Sequence, residues 1–167
     1  MSKTKINIPY GKHSIDKTDI NSVVKVLKSN FLTQGKKVSE FENIISNFCK
    51  SKFAVAVNSA TSGLHLACLS LGLKKNDYVW TSSITFVASA NCALLCDAKV
   101  DFIDINPKTY NMCTKDLERK LIIAEKKNKL PKIVIPVHLS GQPCELIKIF
   151  QLSKKFGFKI IEDASHA

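Results

Sequence analysis

The sequence lacks any run of apolar residues that approaches the roughly 20 required by a membrane-spanning helix. Its first residues, Met1-Ser2-Lys3-Thr4-Lys5, are not followed by the apolar stretch that marks a secretory signal. These two absences argue against a membrane protein and against a secreted one. We therefore expect the protein to act in the cytoplasm.

The six cysteines include no C-x-x-C pair, and the spacing of Cys92 and Cys96 is that of a helix. Most of the cysteines lie inside apolar patterns, as Cys68 does between Ala67 and Leu69. Small buried thiols are more common in cytosolic proteins than zinc sites or disulfide frameworks. We therefore expect neither a metal site nor a disulfide.

Arginine is almost absent, although the net charge is +11 and the chain has 25 basic residues, of which only Arg119 is arginine. Reading base edges and stacking on bases both favour arginine. The lysines are also scattered over polar positions rather than gathered into a stripe. We expect no nucleic-acid binding, with a basic nucleic-acid-binding domain as the less favoured alternative. A modest attraction for small anions is compatible with this charge.

What the sequence does contain is typical of a globular domain, since 167 residues with 45% hydrophobic and 23% charged side chains suffice for one sizeable core. From residue 53 onward, short apolar runs alternate with segments of helical periodicity. This alternation predicts an α/β fold with a mainly parallel sheet covered by helices. The predicted strands are 53–57, 77–81, 100–105, 133–139 and 159–162, and the predicted helices are 64–71, 86–95, 114–126 and 144–155.

Two amphipathic helices are predicted before residue 53, after an extended and irregular stretch over residues 1–13. Asp16 is suited to cap the first helix, whose apolar face runs from Ile20 to Leu27. The apolar face of the second helix begins at Val38, and Ser39-x-x-Glu42 predicts a capping box near its start.

Polar groups follow the predicted strands at their carboxyl ends, which is the edge where open α/β sheets bind ligands. The group Asn58-Ser59-Ala60-Thr61-Ser62-Gly63 opens a helix, so its N–H groups and hydroxyls suit a phosphate. A plain helix cap is the alternative. The hydroxyl-rich residues 81–91 contain Phe86, which either stacks on a planar ligand or packs in the core.

The last two strands are followed by imidazole and carboxylate groups. His138 stands at the end of a buried strand, where a structural role is more common than a functional one. Asp163 ends the final strand, and a buried carboxylate needs a partner that offsets its desolvation. A protonated ring nitrogen of a cofactor is one such partner, and His166 can reach another edge of that ring. A phosphate site, an aromatic plate and a carboxylate at one sheet edge suit pyridoxal phosphate.

Five motifs stand in an order that matches a known family. They are Phe31-Leu32-Thr33-Gln34-Gly35 with Val38-x-x-Phe41-Glu42, then residues 58–65, 85–91, 137–142 and 162–167. With them the chain resembles the DegT/DnrJ/EryC1/StrS family of pyridoxal-phosphate-dependent sugar aminotransferases, from Ile8-Pro9 to Ala167. The resemblance implies fold type I, with residues 1–35 as an N-terminal segment and helix. Residues 36–167 would then be part of the large cofactor-binding domain, without the small C-terminal domain.

The resemblance also implies a role for each matched position. The cofactor-binding residues are Ala60, Thr61, Phe86, Asp163 and His166, with Asn58 and Ser62 as weaker candidates. The first two would hold the phosphate, Phe86 would stack on the pyridine ring, and Asp163 would pair with the ring nitrogen. His166 would approach the phenolic oxygen. The implied reaction is transfer of an amino group from glutamate to the 4-keto group of a nucleotide-linked deoxy sugar, in a homodimer.

One part of the family pattern is missing from this sequence. The family's Schiff-base lysine lies downstream of the Asp-Ala-x-His/Gln stretch, in a Ser-Phe-x-x-x-Lys segment, and no lysine here stands in such a segment. The resemblance therefore implies no catalytic lysine before Ala167, weak non-covalent cofactor binding, no transamination by this chain alone, and a tendency to aggregate. A dehydratase of the same fold and a non-catalytic binding remnant stay alternatives, because the residue that distinguishes them is not in the sequence.

Overall fold

A computed structural model describes residues 11–167 of the protein as two compact units. The first unit ends at Ala56, and the second runs from Val57 to Ala167. The predicted extended stretch before residue 11, with the Ile8-Pro9 start of the family resemblance, lies outside the described residues. The predicted domain boundary between residues 35 and 36 stays a prediction.

The first unit contains two helices, α1 at Lys17–Leu27 and α2 at Lys36–Cys49. The predicted cap of α1 is confirmed, because the Asp16 carboxylate accepts hydrogen bonds from the N–H groups of Thr18 and Asp19. The Asp19 carboxylate accepts in return from the Asp16 N–H at 2.9 Å, which completes a capping box.

The capping box predicted for α2 is wrong, because this helix begins earlier than its apolar pattern. Gly35 is its N-cap, so Ser39 already lies inside the helix, where its hydroxyl donates to the Lys36 carbonyl at 3.0 Å. The Glu42 carboxylate instead accepts from the Ala56 N–H at 2.9 Å. A side chain beyond the first turn cannot satisfy the N–H groups at the helix start.

The second unit is an α/β structure with a four-stranded parallel sheet in the order β2-β1-β3-β4. Its strands are β1 Tyr78–Ser82, β2 Lys99–Ile103, β3 Ile133–Ile135 and β4 Lys159–Ile160. Its helices are α3 Ala60–Ser70, α4 Ala88–Leu94, α5 Thr114–Lys126 and α6 Leu146–Phe156, with a short 3₁₀ turn at Leu139–Gly141. The predicted parallel sheet is confirmed. No helix between residues 11 and 167 combines the length and apolar character needed to cross a membrane.

The predicted strand over residues 53–57 is not formed in the structure. Phe53 and Val55 are 75% and 76% exposed, and the backbone of this stretch pairs with no strand among residues 11–167. Alternating side chains express a β preference, but a strand exists only where a neighbouring strand accepts and donates its hydrogen bonds. The third strand is also shorter than predicted, because Pro136 has no N–H to continue the ladder.

Apolar side chains cover the sheet on both faces, and alternation along the strands separates the two layers. Trp80 of β1 points into one layer and its neighbour Val79 into the other. The first layer is completed by α5 and α6, with Leu117, Leu121, Ile149 and Leu152. The second is completed by α3 and α4, with Leu64, Cys68, Cys92 and Ala93. The predicted inward face of α5 is confirmed by the burial of Leu117, Leu121 and Ala124.

Three glycines in this unit, Gly72, Gly141 and Gly157, adopt the left-handed conformation, and the last two differ in their surroundings. Gly157 ends α6 with φ of 81°, and no heavy atom lies within 4 Å of the position that a Cβ would take there. Gly141 has φ of 84° in the turn after β3, and a Cβ there would lie 3.0 Å from the carbonyl oxygen of His166. The backbone of His166 is thus packed directly against this turn.

We expect Leu121→Ala to lower the free energy of unfolding by about 2–5 kcal/mol, since it leaves a cavity in the layer between α5 and the sheet. The adjacent Ile122→Ala is the control, because Ile122 is 41% exposed and its loss should cost less than about 1 kcal/mol. Urea denaturation followed by circular dichroism measures both variants. Equal losses would contradict the placement of α5.

Gly141 and Gly157 provide a second test with a matched control. Gly157→Ala should cost only the left-handed penalty, about 1–2 kcal/mol. Gly141→Ala should cost more, because its Cβ also meets a backbone oxygen that cannot move independently of its chain. Urea denaturation compares the two variants, and equal destabilisation would show that the His166 carbonyl is not held against Gly141.

Candidate functional site

The structure brings all five predicted site residues to one cavity of about 230 Å³ within the second unit. It lies where β1, β3 and β4 end and α3 begins, at the carboxyl edge of the parallel sheet. The predicted residues that line it are Ala60, Thr61, Phe86, Asp163 and His166, joined by Leu64, Thr85, Ala88, Val137, His138, Leu139 and Ser165. Asn58 and Ser62, the weaker candidates, are not among the lining residues.

The first turn of α3 forms one end of the cavity. Ser59 is its N-cap, and the Ser59 hydroxyl accepts a hydrogen bond from the Ser62 N–H at 3.2 Å. The Gly63 N–H donates to the Ser59 carbonyl at 3.1 Å, which is the first bond inside the helix. The N–H groups of Ala60 and Thr61 precede that bond, so the helix supplies no acceptor for them. With the helix dipole they form a site suited to an anion.

Phe86 lies in the turn between β1 and α4 and is 70% exposed. The alternative prediction, that this ring packs in the core, is therefore wrong. An aromatic side chain that large is usually buried, and here one side of it borders the cavity. Its ring is free to cover a planar ligand.

Asp163 provides the negative charge of the site and is 5% exposed. Its Oδ1 accepts from the N–H of Ser165 at 3.2 Å and from the Ser165 hydroxyl at 2.6 Å. Its Oδ2 accepts from the hydroxyl of Ser89 at 2.6 Å. The backbone of Asp163 also continues the pairing of β4 with β3, since its N–H donates to the Pro136 carbonyl and its carbonyl accepts from the His138 N–H.

The protonation state of Asp163 follows from two opposed effects. Burial disfavours the charged form, but the hydrogen bonds from Ser165 and Ser89 and the nearby His166 favour it. The favourable contacts prevail, so the pKa of the Asp163 carboxyl lies below its usual value. The cavity therefore contains a carboxylate that is ionised at neutral pH.

His138 lines the cavity, and both of its ring nitrogens have hydrogen-bond partners. Nδ1 accepts a hydrogen bond from the Cys144 N–H at 3.1 Å, so in the neutral ring Nε2 carries the proton. Nε2 lies 3.0 Å from the Glu162 carboxylate and donates to it. His138 thereby connects the turn after β3 to the residue beside Asp163.

Two hydroxyl residues of the site were not singled out from the sequence. Ser89 is fully buried near the start of α4, and Thr85 lines the cavity with its hydroxyl 2.7 Å from that of Ser89. The sequence signal that could have identified Ser89 is its place on the face of the predicted helix that carries small apolar residues and is buried. A hydroxyl buried there requires a partner, and the sequence does not show which one.

Residues 11–167 contain no group of three or more histidine, cysteine, aspartate or glutamate side chains arranged to hold a metal ion. The six cysteines are free thiols. Cys68 and Cys92 meet between α3 and α4 with their sulfurs 3.8 Å apart, and this contact together with burial raises the pKa of the Cys68 thiol.

Comparisons with known proteins show similar sequences and similar folds. The chain is 42% identical over 160 residues to the UDP-4-amino-4,6-dideoxy-N-acetyl-beta-L-altrosamine transaminase of Campylobacter jejuni, covering 96% of this chain and 41% of that protein. A DegT DnrJ EryC1 StrS aminotransferase from Brucella abortus superposes with a TM-score of 0.83 and 29% identity, covering 87% of this chain and 39% of that one.

A further similar structure contains a cofactor. NtdA of Bacillus subtilis, solved with bound cofactor PMP, superposes with a TM-score of 0.79 and 28% identity, covering 87% of this chain and 32% of that one. The chain thus spans about two fifths of the length of its curated relatives, 41% for the Campylobacter protein. The model of the DegT/DnrJ/EryC1/StrS aminotransferase family matches residues 13–167. The chain therefore belongs to this family of pyridoxal-phosphate-dependent sugar aminotransferases.

Proposed function

We propose that the protein is the cofactor-binding part of an aminotransferase that transfers an amino group from glutamate to the 4-keto group of a nucleotide-linked deoxy sugar. The observation that carries this proposal is the single cavity in which unpaired N–H groups, an exposed aromatic ring and an ionised carboxylate meet. Pyridoxal phosphate has an anionic group, a planar ring and a basic ring nitrogen. Each has a matching partner in the cavity.

The residues would hold the cofactor as follows. The N–H groups of Ala60 and Thr61 bind the phosphate at the start of α3, and Phe86 covers the ring. The Asp163 carboxylate would accept a hydrogen bond from the protonated ring nitrogen, and His166 would approach the phenolic oxygen. When bound, the cofactor supplies an electron sink for the carbon that gains or loses the amino group. An ionised Asp163 supports that chemistry, because it keeps the ring nitrogen protonated.

The substrate assignment rests on similarity to a relative. The Campylobacter transaminase named above acts on a UDP-linked amino sugar, and it shares 42% of the aligned residues with this chain. We propose a UDP-linked 4-keto-6-deoxy-N-acetyl sugar as the substrate, on the way to pseudaminic acid and cell-surface glycans. A cytoplasmic homodimer is part of the same proposal, and its homodimeric state is what the family resemblance implies.

A dehydratase acting on the same class of sugar with the same cofactor stays the alternative. The assay that distinguishes them supplies the nucleotide sugar and glutamate to the whole enzyme of which this chain is proposed to be the cofactor-binding part. An aminotransferase forms 2-oxoglutarate and an amino sugar in equal amounts, whereas a dehydratase removes a hydroxyl as water and leaves glutamate unchanged.

Phe86→Ala should weaken the binding of pyridoxal phosphate by about twofold to tenfold, since ring stacking contributes about 0.5–1.5 kcal/mol. Phe150→Ala is the control, because Phe150 is another exposed phenylalanine, 55% accessible, and it lies on α6 away from the cavity. Absorbance titration with the cofactor measures both affinities. A wild-type protein that does not bind pyridoxal phosphate would overturn the proposed function, and equal affinities would remove Phe86 from the site.

We also expect the 167-residue polypeptide to bind the cofactor without a covalent bond and to transfer no amino group by itself. The reason is that none of its lysines stands in a Ser-Phe-x-x-x-Lys segment. Borohydride reduction followed by mass spectrometry tests this, because reduction fixes a lysine-linked cofactor permanently. One modified lysine per chain, at a single position, would contradict the expectation.

A further inference from the structure

Ser89 does not line the cavity, but it supports a side chain that does. It is fully buried in the first turn of α4, and its hydroxyl lies 2.6 Å from Asp163 Oδ2 across 74 positions of sequence. Its other contact is the Thr85 hydroxyl at 2.7 Å. No family role was assigned to either residue.

The direction of these hydrogen bonds follows from the number of protons available. An ionised carboxylate can only accept hydrogen bonds, so the single hydroxyl hydrogen of Ser89 must be used in the hydrogen bond to Asp163. The oxygen of Ser89 then accepts from Thr85, whose hydroxyl borders the cavity. The result is an ordered series of donors from Thr85 to Ser89 to Asp163, in which each bond polarises the next.

The two oxygens of Asp163 are held in different ways. Oδ1 is bonded by Ser165, a neighbour two residues along the chain that is exposed, so water can replace it. Oδ2 is bonded by a serine that no water reaches. Three of the roughly four acceptor positions of the carboxylate are filled by these bonds, which leaves one on Oδ2.

Resting on the function proposed above, we infer that Ser89, supported by Thr85, is a positioning residue that aims the free acceptor position of Asp163 at the cofactor ring nitrogen. Without it, the carboxylate can rotate about its Cβ–Cγ bond, and its buried oxygen is left unpaired. Burial then favours the neutral acid, which no longer provides the negative charge that stabilises a protonated ring nitrogen.

The other titratable groups around Asp163 are few. Cys92 lies on α4, His138 lies in the turn after β3, and Glu162 and His166 stand on its own segment. The side chains that α3 contributes to the cavity are not titratable. None of these groups donates a hydrogen bond to Oδ2, so none replaces Ser89.

The decisive variant is Ser89→Ala, compared with Ser153→Ala as the control. Ser153 is also a buried helical serine, but it donates to the Phe150 carbonyl on α6 and lies outside the cavity. The first measurement is a pH titration of the ¹³C-labelled Asp163 carboxyl by NMR, with the signal assigned from Asp163→Asn. We expect the pKa of Asp163 to rise in Ser89→Ala and to stay at the wild-type value in Ser153→Ala.

The second measurement is the affinity for pyridoxal phosphate as a function of pH. Losing a hydrogen bond to a charged group should weaken binding at least about tenfold in Ser89→Ala. Because the wild-type carboxyl stays charged to lower pH, binding by the variant should also fail at a higher pH as the solution is acidified. Thr85→Val, which preserves shape but removes the donor to Ser89, should shift both readouts in the same direction by less.

The outcomes are separable. An unchanged Asp163 pKa in both Ser89→Ala and Thr85→Val would overturn the inference, whether or not the cofactor binds. A raised pKa with unchanged cofactor affinity would also overturn it, because Ser89 would then be structural only. If Ser89→Ala does not fold, Thr85→Val decides the question by the same two readouts. A wild-type chain that binds no cofactor would refute the proposed function and, with it, the role of Ser89 toward the ring.

Discussion

The site depends on one buried carboxylate that two hydroxyl groups keep charged, one from its own segment and one from the distant helix α4. Ser89 holds one oxygen of Asp163 and Ser165 holds the other, and the pKa stays low although burial alone would raise it. The backbone of the same residue continues the pairing of the last two strands. Asp163 therefore extends the sheet through its backbone, bonds the start of α4 through its side chain and provides the charge of the cavity. A substitution at Asp163 should affect all three.

The parallel sheet explains why the remaining parts meet at this carboxylate. Parallel strands end at a common edge, and the helices that follow begin there with their N–H groups directed at it. The alternation of Val79 and Trp80 assigns α3 and α4 to one face of the sheet and α5 and α6 to the other. The anion site of α3 and the serine of α4 consequently lie on the same side as Asp163.

Much of this fold could be predicted, because local patterns are strong where one face of an element is buried. The predicted bounds of α5 and the predicted capping by Asp16 agree with the structure. The predicted alternation of strands and helices, with a parallel sheet, agrees as well. The failures occur where distant partners decide. The stretch 53–57 has strand periodicity but no neighbouring strand, and Ser39 has the spacing of a cap but lies inside its helix. Phe86 is a large aromatic residue of the kind that is usually buried, but here it is exposed.

The sequence by itself determined the candidate site residues, since a helix start suited to an anion, an aromatic ring and a carboxylate can be identified from residue type and position at strand ends. It also identified the family, which residues 13–167 match. Only the tertiary structure decided that these residues share one cavity, and that a serine 74 positions away donates a hydrogen bond to the Asp163 carboxylate. Hydrogen bonds to a buried group depend on distances between segments, and such distances are set by packing rather than by local sequence.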